Sequence, residues 1–176
     1  MKYIPTELLE QQAFDVLTSL DAYEVPVPLE LVAHRLGFAV KKVPLGDEIS
    51  GVLVVADGKG HIGVNSEQAP VRQRFTIAHE IGHFLLHRED SVLFIDKTYV
   101  AFRDSESAKG EDRAEIQANQ FAAALLMPGA LLQRELNDQL VDLAATDIID
   151  KMAGRFGVSV QSMTFRLDNL GLMATS

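Results

Sequence analysis

Along residues 6–20, TELLEQQAFDVLTSL, the apolar positions Leu9, Ala13, Val16, Leu17 and Leu20 recur at helical spacing and form one stripe, with Thr6 able to cap its start. The VPVP run at 25–28 breaks that helix. Pro28 then suits the first turn of a second, short helix, and Gly37 suits its end. FAVKKVPL, SGVLVVADG and HIGVN read as strands, the last two joined by the turn-forming DGKG as in a hairpin. From Pro70 to His87 the pattern becomes helical again, with Val71, Phe75, Ala78 and Gly82 on or near one face. The segment 92–110 begins strand-like and ends in a polar, glycine-containing loop that could serve as a lid, a partner contact or a tolerated insertion. A third strong helix spans about 111–127 and stops at Pro128, and further helices follow to the end. The order is a helix pair, a small sheet, a long helix, an irregular link and more helices, which is an α+β rather than an alternating α/β pattern.

Composition narrows the function classes. A chain of 176 residues with 47% hydrophobic content can bury one core, and the expectation is a single domain over 1–176 with a helical subregion at 147–172. No stretch reaches the roughly 18 to 20 apolar residues of a membrane span, and the first residues lack a secretion signal, so the expected setting is the cytoplasm without membrane attachment. A net charge of −9 with no basic cluster disfavours nucleic-acid binding. The absence of cysteine leaves only imidazole and carboxylate to hold a metal.

Candidate chemistry concentrates in the stretch 75–87, FTIAHEIGHFLLH. His79, Glu80 and His83 form H-E-x-x-H. On a helix, residues four apart stack, so both imidazoles can approach one ion, while Glu80 is rotated by roughly 100° and can reach a water there as a general base. A catalytic zinc site usually takes a third protein ligand. His87 continues the row but lies about 12 Å along the axis from His79, too far to share an ion comfortably, and reads better as a packing or supporting residue. A histidine turn after the motif fails, because Leu86 and Glu89 stand where glycine and histidine are needed. Glu89 or Asp90 remains an alternative. The stronger candidate is Glu115 in EIQANQFAAALLMP, where Ala118 and Ala122 on the same face permit close approach of two helices. Asn119, one turn on, could hydrogen-bond a ligating histidine or simply pack. An oxyanion donor would also be needed, and His87, Tyr99, Arg103 and Arg113 are all candidates.

The blocks RQRFTIAHEIGHFLLH at 72–87 and EIQANQFAAALLMP at 115–128 together resemble the ImmA/IrrE family of zinc metallopeptidase-like proteins. PVPLELVAHRLGFAV, GHIGVN and FRDSESAKG are similar to that family as well. The resemblance implies zinc held by His79, His83 and Glu115, with Glu80 as catalytic base, on a zincin-like fold: the half of a thermolysin-type enzyme in which the active helix packs on a small sheet. Asn119 departs from the aspartate that thermolysin-like enzymes carry at this place. The resemblance also implies a protein partner, a helix-turn-helix repressor or an antitoxin encoded nearby, in a bacterium, phage or mobile element.

Two function classes follow. One is a zinc endopeptidase (of the H-E-x-x-H plus distant glutamate type) that cleaves or inactivates such a regulator. The other is a non-catalytic zinc-binding toxin or regulator that sequesters its partner. GHIGVN is a candidate strand for pairing with an extended substrate, or else an internal strand. Residues 148–172 have a helix-turn-helix rhythm, with Ala153, Gly157, Val158 and Met163 at the packing positions and Ser159 as a cap. That unit carries only Arg166 against Asp168 where phosphate contacts would need cations, so it reads as a structural pair or a protein-docking surface.

Overall fold

The computed structural model describes residues 3–56, 59–87, 93–97, 107–137 and 146–174. It is an α+β arrangement in the order α1 (Thr6–Ser19), α2 (Leu29–Arg35), β1 (Phe38–Val43), β2 (Ile49–Ala56), β3 (Lys59–Asn65), α3 (Pro70–His87), β4 (Leu93–Lys97), α4 (Ser107–Leu126), α5 (Gly129–Glu135), α6 (Thr146–Phe156) and α7 (Val160–Asn169). In α1 the expected stripe points inward, with Leu9, Ala13 and Leu17 buried. Thr6 does not cap it. Thr6 is instead the first helical residue, and Pro5, which has no side-chain acceptor, occupies the cap position. Pro28 likewise stands just before α2 rather than in its first turn. Gly37 follows α2 with φ +87°, the left-handed conformation that ends a helix cheaply only at glycine.

The sheet order is β1-β3-β2-β4, with β1 parallel to β3 and the other pairs antiparallel. The expected hairpin is present, with Ala56 opposite Lys59. Because β1 and β2 flank β3 on its two sides, β3 has no edge to offer. Of the two readings of GHIGVN, a strand for substrate pairing or an internal strand, the structure shows the internal strand, and among the described strands the sheet edges are β1 and β4. Between Ile49 and Gly51 the β2–β4 register shifts, a bulge at Ser50. Ser50 is buried, and its hydroxyl accepts hydrogen bonds from Gln68 Nε2 at 3.1 Å and Arg72 Nη2 at 3.0 Å.

α4 begins at Ser107, earlier than the expected 111. Ala108 and Lys109 are good helix formers, and the roughly 1 kcal/mol cost of Gly110 is absorbed in a helix of 20 residues. The long helices α3 and α4 pack closely at Gly82, where an added Cβ would lie 3.2 Å from the Cα and carbonyl oxygen of Ala118 and from Phe121. Ala118 and Ala122 are fully buried, as the small-residue face anticipates.

Two arginines, Arg74 half-buried and Arg166 buried, fasten the C-terminal helices to this frame. Arg74 on α3 donates to the carbonyl oxygens of Val27 (2.9 Å) and Gly157 (3.2 Å). Gly157 combines φ +67° with a Cβ position only 3.0 Å from Arg74 Nε, so a larger residue would be both strained and crowded. Ser159 caps α7 as expected, its hydroxyl accepting from the Ser162 amide at 3.1 Å. Arg166, 6% exposed, donates to the Met127 carbonyl (3.0 Å) and to both carboxylate oxygens of Glu10. Phe156, Met163 and Leu167 join the same apolar cluster as Leu17, Ile77 and Leu125.

Candidate metal centre

α3 carries the H-E-x-x-H residues in its middle, and they are buried. His79 and His83 sit one turn apart, with their Nε2 atoms 2.9 Å from each other. Glu115 reaches across from α4, placing Oε2 3.2 Å from His79 Nε2 and Oε1 3.1 Å from His83 Nε2. The close approach at Gly82 and Ala118 makes this possible. The Glu115 side chain is 49% exposed, so the cluster opens to solvent on the carboxylate side while both imidazoles stay covered.

The donor chemistry is that of a cation site. His79 Nδ1 lies 3.0 Å from Asn119 Oδ1, an acceptor, so the ring proton belongs on Nδ1 and the Nε2 lone pair faces the cluster. That lone pair, His83 Nε2 and the two Glu115 oxygens converge on one point. Converging lone pairs repel unless protons or a cation lie among them. Ligands held about 2.0–2.1 Å from a tetrahedral zinc stand roughly 3.3 Å apart, close to the separations seen here. Burial alone would push the Glu115 carboxyl up; where protons rather than a cation lie among the three groups, hydrogen bonds and charge from His79 and His83 outweigh it and hold the group well below the usual carboxylate range. Glu115 is therefore ionised at neutral pH. Among the described residues, His79, His83 and Glu115 form the one group of three or more able to hold a metal.

Glu80 is 0% exposed. It lies against β2 at Gly51, where an added Cβ would come 3.1 Å from Glu80 Oε1 and 2.3 Å from the Thr76 methyl. A side chain at 51 would collide with the Thr76 methyl and crowd the Glu80 carboxylate. The signal for Gly51 was visible as an isolated glycine inside the strand pattern SGVLVVA, which marks close approach by another element. Phe75 is a second residue that sequence reasoning assigned only to packing. Its ring stacks on His79 at 6.4 Å between centroids, inclined by 29°.

His87 is buried beside His83, with ring centroids 5.8 Å apart, and is not one of the converging groups. That agrees with its reading as a supporting residue. Arg113 is exposed. Tyr99 and Arg103, the other oxyanion candidates, and Glu89 and Asp90, the alternative ligands, lie outside the described residues, as does most of the 98–110 loop.

Fold and cluster together define an α+β protein built round a side-chain set able to hold one divalent cation. A family model described as the IrrE N-terminal-like domain matches residues 33–168, and the chain belongs to that peptidase family. Residues of the chain are 37% identical over 106 positions to a protein named radiation response metalloprotease IrrE from Deinococcus deserti, covering 59% of this chain and 34% of that one. A protein of the same name from Deinococcus radiodurans is 40% identical over 74 residues, covering 42% of this chain and 21% of that one. The chain thus matches about a third or less of these curated relatives. A solved structure titled a Mycobacterium tuberculosis transcriptional regulator superposes with a TM-score of 0.61 at 23% identity, covering 91% of this chain and 46% of that one. At that identity the likeness is one of fold.

Proposed function

We propose that the protein is a zinc-dependent endopeptidase that cleaves or inactivates a regulatory protein, with His79, His83 and Glu115 holding the metal and Glu80 as the general base. The observation carrying this reading is the convergence of two imidazole nitrogens and a carboxylate from separate helices within 4.8 Å, next to a buried glutamate. The name metalloprotease of the Deinococcus relatives supports it. A zinc ion held there would act as a Lewis acid toward a peptide carbonyl and would make water a competent nucleophile near neutral pH.

The chain's own residues supply the rest. Asn119 fixes the tautomer and ring orientation of His79. Glu80 takes a proton from the attacking water and later gives it to the departing amine. Gly51 leaves the space in which that carboxylate sits. The partner we propose is a helix-turn-helix repressor or antitoxin encoded nearby, whose basic surface would suit an acidic chain.

A second reading, a zinc-binding regulator that sequesters its partner without cutting it, draws on the complete burial of Glu80. One experiment separates the two. Incubation of the zinc-loaded protein with the neighbouring regulator is expected to give shortened products, and Glu80→Gln is expected to keep zinc while losing cleavage by about 100-fold or more. A complex without products would favour sequestration. Undiminished cleavage by the variant would remove Glu80 from the mechanism.

A further inference from the structure

We propose that Ser50 is a positioning residue for the metal centre, acting on His79 through Arg72 and Phe75. This rests on the reading of His79, His83 and Glu115 as the metal-holding set. Ser50 is 0% exposed in the otherwise apolar strand ISGVLVVA, where a buried hydroxyl is costly unless hydrogen bonds satisfy it. It stands where the β2–β4 register shifts, and bulges beside active sites re-aim side chains. Its oxygen accepts from Gln68 and Arg72, residues that lead into and open α3. The next residue, Gly51, is pressed onto α3 at Thr76 and Glu80, so the hydroxyl meets the helix at a fixed height.

Arg72 stands three residues before Phe75 on α3, so the two side chains are neighbours on the helix surface. Its guanidinium carbon lies 5.9 Å from the Phe75 ring centroid, within cation–π range. Arg72 is exposed, and a long exposed side chain keeps one rotamer only where something holds its end. The Ser50 hydroxyl, 3.0 Å from Nη2, does that. Phe75, one turn before His79, lays its ring on the imidazole at 6.4 Å, inclined by 29°. His79 is thus held on its edge by Asn119 and on its face by Phe75. The edge contact selects the tautomer. The face contact sets the ring plane, and with it the direction in which the Nε2 lone pair meets His83 and Glu115.

The test reads two properties of the full chain: zinc affinity, and the visible absorption of bound cobalt(II), whose bands follow coordination geometry. Ser50→Ala is expected to shift the cobalt bands and to weaken zinc binding by about three- to tenfold. Arg72→Met, a change at an exposed position that leaves folding intact, is expected to do the same. Arg72→Lys, which can still donate to Ser50, should stay within about twofold of the wild type. When Ser50→Ala and Arg72→Met are combined, the loss should match the larger single loss rather than the product of the two. A wild-type spectrum and affinity in folded Ser50→Ala or in Arg72→Met, or losses that multiply in the double variant, would overturn the positioning role and leave the metal centre standing. A wild-type chain that takes up neither cobalt nor zinc would overturn the metal reading of the proposed function, and this role with it.

Discussion

The chemistry of this chain hangs on individual atoms whose partners are set one bond away. Asn119 is the clearest case, since its Oδ1 determines which nitrogen of His79 keeps the proton and which faces Glu115. Asn119→Ala should leave the fold intact and weaken zinc binding by about tenfold, measured by competition against a chromogenic chelator. An unchanged affinity would show that the orientation of His79 comes from packing against Phe75 instead. The two histidines and Glu80 were legible in the sequence because four-residue spacing on a helix dictates their placement. Gly51 was not assigned a role, because its contact with Glu80 depends on which strand passes under α3, and strand order is a long-range property.

At the scale of elements, the third converging group depends on how closely α3 and α4 approach. Gly82 sits against Ala118 with no room for a side chain. Gly82→Leu should force the helices apart, cost about 1–3 kcal/mol in chemical denaturation, and lower zinc affinity because Glu115 rides on α4. Helical content by circular dichroism should remain. Retained zinc affinity in a folded Gly82→Leu protein would detach Glu115 from the site. The small-residue face of α4 made Glu115 readable from sequence. The first turn of α4 was misread as loop because Gly110 weighs more heavily in a short window than in a 20-residue helix. The internal position of β3 was open on sequence grounds, since period-two alternation defines a strand but not its neighbours.

For the whole molecule, the terminal helices close around the centre rather than forming a free reading head. Arg166, the cation that a helix-turn-helix reading would send to phosphate, is buried and bound to Glu10 and Met127. The exposed positions of α7 include Val160 and Phe165 instead. Arg166→Ala should therefore destabilise the chain by about 3 kcal/mol, because it leaves a main-chain carbonyl and a carboxylate without their shared donor. Its effect should be read in a denaturation midpoint; an unshifted midpoint would mean that α7 docks through its apolar face alone. The helical rhythm of this region was legible, but its tie to α1 spans 156 residues and left no trace in local pattern. The cluster differs: two of its groups are local, and the third, 32 residues downstream of His83, was readable through the small-residue face of its own helix. Zinc-edge anomalous diffraction from zinc-soaked crystals addresses this convergence most directly. The expected result is one strong peak per chain, about 2.0–2.2 Å from His79 Nε2, His83 Nε2 and a Glu115 carboxylate oxygen. A peak elsewhere, or no peak at saturating zinc, would contradict the account.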